Sequence, residues 1–148
     1  MRPLPPTVAL IAHLLARLLI GGVLIAHGAQ KATGFNEVVT AFTQMGVPAP
    51  AAVAATAMTI ELLGGAALIV GFATTIAAVI VVVNMTGAVV LVHSPTTVFV
   101  TDGGWELVGV IAAGALLLAA TGPGPWAVDT ILGTRRHTPP PATWPDPS

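Results

Sequence analysis

The chain has 148 residues, 55% of them hydrophobic and 7% charged, with a net charge of −1 and no cysteine or tyrosine. Soluble domains are about 25% charged, so 5 basic and 6 acidic side chains cannot furnish a water-facing surface. Such hydrophobicity excludes disorder, and the near-neutral balance leaves no footprint for nucleic acid. Without cysteine there is no disulfide, thiolate metal site or cysteine-ligated cluster. The composition is that of a small integral membrane protein.

A hydrocarbon core of about 30 Å needs about 20 apolar residues in a helix, and four stretches qualify: 8–27, 51–71, 73–93 and 104–122. The first is interrupted by His13 and Arg17 and runs too far for the apolar region of a signal peptide, so it reads as a retained helix. Between spans one and two, Val38, Val39, Phe42 and Met45 recur at helical spacing, with Asn36 as N-cap and Gly46 and Pro48 as the stop. That pattern fits a short amphipathic helix at the membrane surface, or equally a packed loop helix. Spans two and three join through Gly71 and Phe72 as a tight hairpin, and 94–103 is a polar connection. The Gly-Pro-Gly-Pro run from Gly122 stops the fourth helix. The predicted fold is all-α: an antiparallel four-helix transmembrane bundle over 1–133, with a Pro-rich, mobile cytoplasmic tail over 134–148.

Arg17 and Glu61 fall at the middle of spans one and two. A charge at a helix centre costs roughly 2.5–3.5 kcal/mol on insertion scales, and such residues usually face the bundle interior and pair. At about 100° per residue, His13, Arg17, Gly21, Gly28 and Lys31 share one face, as do Glu61, Gly64, Gly65 and Gly71. Small residues on the charged face let backbones approach. The expectation is an Arg17–Glu61 ion pair, acting either as a fastener or in proton or ligand handling. Asn84 reads as interhelical glue, and Gly109 belongs to a small-residue stripe behind Glu106. Glu61-Leu-Leu-Gly and Glu106-Leu-Val-Gly form a faint internal echo.

A second set gathers at the other end of the spans: His27, Gln30 and Lys31 leaving span one, His93 leaving span three, and Glu106 opening span four. Imidazole changes charge near neutral pH, so His27 is the candidate proton-exchanging group. Gln30, Lys31 and Glu106 are candidate polar contacts for a quinone headgroup. A structural Lys31–Glu106 pair, or ordinary interfacial polarity, would look the same. His13 and His27 stack on nearly one face, but no partner helix carries a matching pair, which argues against a bis-histidine haem.

Arg17, Gly21 and Gly22, continuing to His27, Gly28, Ala29, Gln30 and Lys31, resemble the first-helix signature of the DoxX family of bacterial membrane proteins. Glu61, Gly64, Gly65 and Gly71 resemble its second helix, and Glu106, Gly122 and Asp129 its fourth. Here Ala32, Thr33, Gly34 and Phe35 follow the lysine, where many relatives carry a bulkier aromatic stretch. The resemblance implies a four-helix protein of the bacterial cytoplasmic membrane. It would be a non-catalytic accessory subunit or adaptor of a quinone-linked or oxidative-stress redox system, beside a soluble redox enzyme or as a homo-oligomer. The residues alone leave a second reading, a small-molecule binder or transporter working through Arg17 and Glu61.

An even number of spans puts both termini on one side, with Arg2, Arg135 and Arg136 there against Lys31 on the other. The positive-inside rule makes that side cytoplasmic. Cysteines introduced at Thr33 and Thr97 should then be labelled by an impermeant thiol reagent from outside intact cells, and one at Thr143 only after permeabilisation. Any other pattern rejects the topology.

Overall fold

The computed structural model describes residues 5–93 and 97–133; the Pro-rich tail and the terminal arginines used for orientation lie outside them. Among the described residues there is no strand; the α-helices are α1 (Pro6–Thr33), α2 (Phe35–Gln44), α3 (Pro50–Val70), α4 (Thr74–Leu91), α5 (Glu106–Thr121) and α6 (Val128–Gly133), with a short 3-10 helix at Val100–Asp102 ahead of α5. The helices α1, α3 and α4 are long and apolar enough to cross a membrane, and α5 is a shorter apolar helix. Four apolar helices in this order match the expected bundle.

Boundaries follow local chemistry. Pro6 and Pro50 open α1 and α3, where a missing N–H costs nothing and φ is already helical. Gly71 ends α3 at φ 71°, its N–H bonded to the Ala67 carbonyl, as a left-handed C-terminal residue should be. Span one extends farther than expected, since His27 to Lys31 stay helical and α1 reaches 28 residues. By contrast α5 has 16 residues, about 24 Å of helix, short of the hydrocarbon thickness. Exposed Val98, Phe99 and Trp105 ahead of it lengthen the apolar band. The loop helix α2 starts at Phe35 with Gly34 as its N-cap, in place of Asn36. Its Val38, Val39 and Phe42 pack with Val47, Val53 and Ala54 over the start of α3.

Two intimate pairs, α1 with α3 and α4 with α5, build the bundle. Their shared core includes Leu24, Leu68, Val81, Met85, Ile111 and Leu118. The tightest contact is glycine on glycine. A Cβ added to Gly21 would lie 2.6 Å from the Gly65 carbonyl, and one on Gly65 2.7 Å from the Gly21 carbonyl. Gly64 faces Val81 of α4, with 3.0 Å available to a Cβ. Gly109, expected on an interhelical stripe, instead accommodates the Trp105 ring at its own helix start, and Gly114 makes the close approach to α1, at Ile20.

The unforeseen α6 closes the far end. Asp129 accepts hydrogen bonds from Ala73 N–H (2.7 Å), Thr74 N–H (2.7 Å) and the Thr74 hydroxyl (2.9 Å), capping α4. Its own N–H donates to the Gly71 carbonyl at 2.9 Å. Burial by itself raises the Asp129 carboxyl, but those three hydrogen bonds and the Arg17 charge outweigh it and hold the group below its ordinary value.

Replacing Gly21 by leucine should cost about 1–3 kcal/mol through overpacking. Gly22→Leu, with nothing within 4 Å of the added Cβ, should stay within about 0.5 kcal/mol of wild type; thermal unfolding in detergent compares the two. The cap also sets an acid limit. Its contribution is complete above the ordinary aspartate value of about 3.9 and is lost as the pH falls through the lower folded-state value. Asp129→Asn should therefore be less stable than wild type at neutral pH, and the gap should close on acidification.

Candidate functional site

The Gly21–Gly65 contact fixes the register of the antiparallel α1–α3 pair, and the register decides where each charge falls. One turn toward the start of α1, Arg17 meets the end of α3. Its Nε donates to the Leu68 carbonyl at 2.8 Å and its Nη2 to the Ile69 carbonyl at 2.8 Å. Nη1 donates to Pro123 O at 2.9 Å and Trp126 O at 3.4 Å in the linker to α6. The last carbonyls of a helix have no partner within it and carry the negative end of its dipole, so a guanidinium satisfies them well. The side chain is only 1% exposed. Nearby, His13 Nε2 lies 3.2 Å from Thr121 Oγ1, linking α1 to α5.

The expected Arg17–Glu61 pair is therefore not formed. Along α3, Glu61 is eight residues from Ile69, about 12 Å, beyond the reach of a side chain already tied to four carbonyls. Estimating depth from the middle of each apolar stretch missed this offset. Glu61 instead pairs with Lys31, whose Nζ donates to Oε1 at 2.9 Å and Oε2 at 2.8 Å. Lys31 is one helical turn past His27 on α1, and its flexible stem carries the ammonium to the pair. Glu61 is 5% exposed and the Lys31 side chain 21%, so the pair is held among apolar groups. Removing one partner of a buried pair costs about 3–5 kcal/mol, because a bare charge remains.

The pair forms part of the wall of a cavity of about 680 Å³, within the usual range for small-molecule sites. From the turn at Gly71, α3 and α4 touch at Gly64–Val81 and leave a wedge beyond. Its lining is overwhelmingly apolar, and its polar members include His27, Lys31, Glu61, Asn84 and His93. Phe42 of α2 and Val108 of α5 close the deeper sides. Val79, Ile80 and Val83 are exposed members of the α4 wall, so the wedge opens sideways between α3 and α4, where lipid would lie.

Of the expected outer cluster, His27, Lys31 and His93 share this cavity. Gln30 is exposed and is not part of the wall. Glu106 turns to its own loop, where Oε1 accepts the Val100 N–H at 2.8 Å, so no Lys31–Glu106 pair exists. A carboxylate at the first position of a helix finds nearby loop N–H groups more readily than an ammonium on another helix. Asn84, expected as glue, makes no hydrogen bond to any described residue. Sequence reasoning missed the Lys31–Glu61 partnership and the Asp129 cap. Lys31 already shared the Arg17 face on the helical wheel, but nothing in one sequence gives the register between helices.

Comparison with known proteins agrees with this architecture. The family model DoxX matches residues 12–94, covering most of the first three spans. The uncharacterized membrane protein Rv3486 of Mycobacterium tuberculosis is 29% identical over 142 residues, 88% of this chain and 84% of that protein. No solved structure matches the chain. With more than half of its length matched by the family model, this membrane protein belongs to the DoxX family.

Proposed function

We propose that the protein is a non-catalytic membrane subunit that holds a quinone-type ring compound in the α3–α4 wedge and serves a redox partner at the membrane. The observation that carries this reading is the wedge itself: apolar walls, a lateral opening, and an ion pair and two imidazoles in the same lining. A lipid-borne ring needs an apolar slot and a few placed donors. Lys31 has three N–H donors, two of which are taken by Glu61, leaving one for a ring carbonyl. His27 lines the same wall and would relay a proton to or from the ring when the redox partner passes electrons to or from it, the subunit itself transferring none. The membrane would be the bacterial cytoplasmic membrane, with both termini in the cytoplasm and the wedge toward the outer face. A soluble redox enzyme or a second copy of the chain would be the partner. The transporter reading rested on an Arg17–Glu61 core, and the engagement of Arg17 with backbone carbonyls removes that basis.

Protein purified in mild detergent should release a quinone on organic-solvent extraction. A Lys31→Met, Glu61→Gln double variant removes both charges together and so avoids stranding one. It should retain the melting behaviour of a folded bundle and lose about tenfold of the bound quinone. A wild type that carries no quinone and takes up none from quinone-loaded vesicles overturns the reading, as does a folded double variant that binds as well as wild type.

A further inference from the structure

Beyond the ion pair and the imidazoles, the described wall of the wedge carries two further polar side chains, Thr56 on α3 and Asn84 on α4, and Asn84 alone of the two faces the ion pair from the opposite wall. It lies in the middle of α4, half-buried, and its carboxamide makes no hydrogen bond to a described residue. The α3–α4 register gives its depth. Gly64 packs on Val81, and three residues onward in each antiparallel helix bring Glu61 level with Asn84. The wedge thus carries polar groups at one level on two facing walls, the Lys31–Glu61 pair on the α1–α3 side and Asn84 on the α4 side, with both walls contributing to the same cavity. Apolar residues occupy the levels around them, with Ile60 and Ala57 on α3 and Val83 and Ala88 on α4.

We propose that Asn84 is the second anchor of the bound ligand, so that the wedge selects a lipophilic ring with hydrogen-bonding groups on two opposite edges, one toward Lys31 and one toward Asn84. This rests on the reading of the wedge as a quinone-type site and adds what decides the choice of ring. A carboxamide offers both a donor and an acceptor, so it suits a ring edge that bears a carbonyl and equally one that bears a hydroxyl. A ring with a single polar edge would satisfy Lys31 and leave Asn84 facing hydrocarbon. Asn84 is a specificity residue, and it takes part in no bond-making step.

The test uses two probes with the same alkyl tail, a decyl-substituted benzoquinone and a decyl phenyl ketone, with binding measured at equilibrium on the detergent-solubilised full chain. Wild type should prefer the dione. Asn84→Leu, which removes a polar group from a membrane helix and should leave melting unchanged or raised, should weaken the dione by about tenfold, the worth of one hydrogen bond. It should leave the monoketone within about twofold. Equal weakening of both probes would mark Asn84 as a packing residue and overturn the proposal, as would no weakening of either. In both cases the quinone-site reading would stand. A wild type that binds neither probe overturns that reading as well, which separates the two failures.

Discussion

The contact of Gly21 with Gly65 is the constraint on which the remaining arrangement depends. Lipid tails are as apolar as leucine, so helices in a bilayer gain by backbone approach and packing more than by hydrophobic burial. Two facing glycines, each with the other's carbonyl where a Cβ would stand, provide that approach at a single register. Sliding α3 by one turn along α1 would replace one of the glycines by a larger residue. With the register fixed, the two interior cations of α1 face different chemistry on α3.

Those cations are accommodated in two ways, each apt for its level. Arg17, always charged and carrying a planar fork of donors, falls where α3 and the following linker present unpaired carbonyls, and it ties α1, α3 and the approach to α6 at one point. Lys31 is a compact charge on a flexible stem and falls beside a carboxylate in mid-helix. The first arrangement commits four of the five guanidinium N–H donors to backbone carbonyls and acts as a fastener. The second leaves an ammonium proton and a carboxylate at the edge of a cavity, where a ligand can reach them.

The cavity has the same origin. Gly71 lets α3 and α4 turn tightly, Gly64 lets them touch at Val81, and Asp129 holds the start of α4 against that turn. Fixed at one end and filled at the other by α2 and the loop before α5, the two helices leave a wedge between them. Asn84, half-buried on the α4 wall, makes no hydrogen bond to any described residue there.

Composition and periodicity determined the membrane setting, the four apolar helices and the placing of Arg17, Lys31 and Glu61 on inward faces, because each of these depends on residues near one another in the chain. Helix stops such as Gly71 and the run from Gly122 were legible for the same reason: a left-handed residue or a proline acts on its own backbone. Span lengths were less so. The lysine-bearing end of α1 looked like an exit loop, although its helix continues, and 128–133 gave no sign of folding back. Pairing was decided by tertiary structure alone. Arg17 and Glu61 share inward faces in sequence, yet an eight-residue offset set by glycine packing sends one to backbone carbonyls and the other to Lys31. Glu106 and Asn84 likewise took roles that periodicity could not distinguish, since a helical wheel gives direction around an axis and carries no information about depth along the neighbouring one.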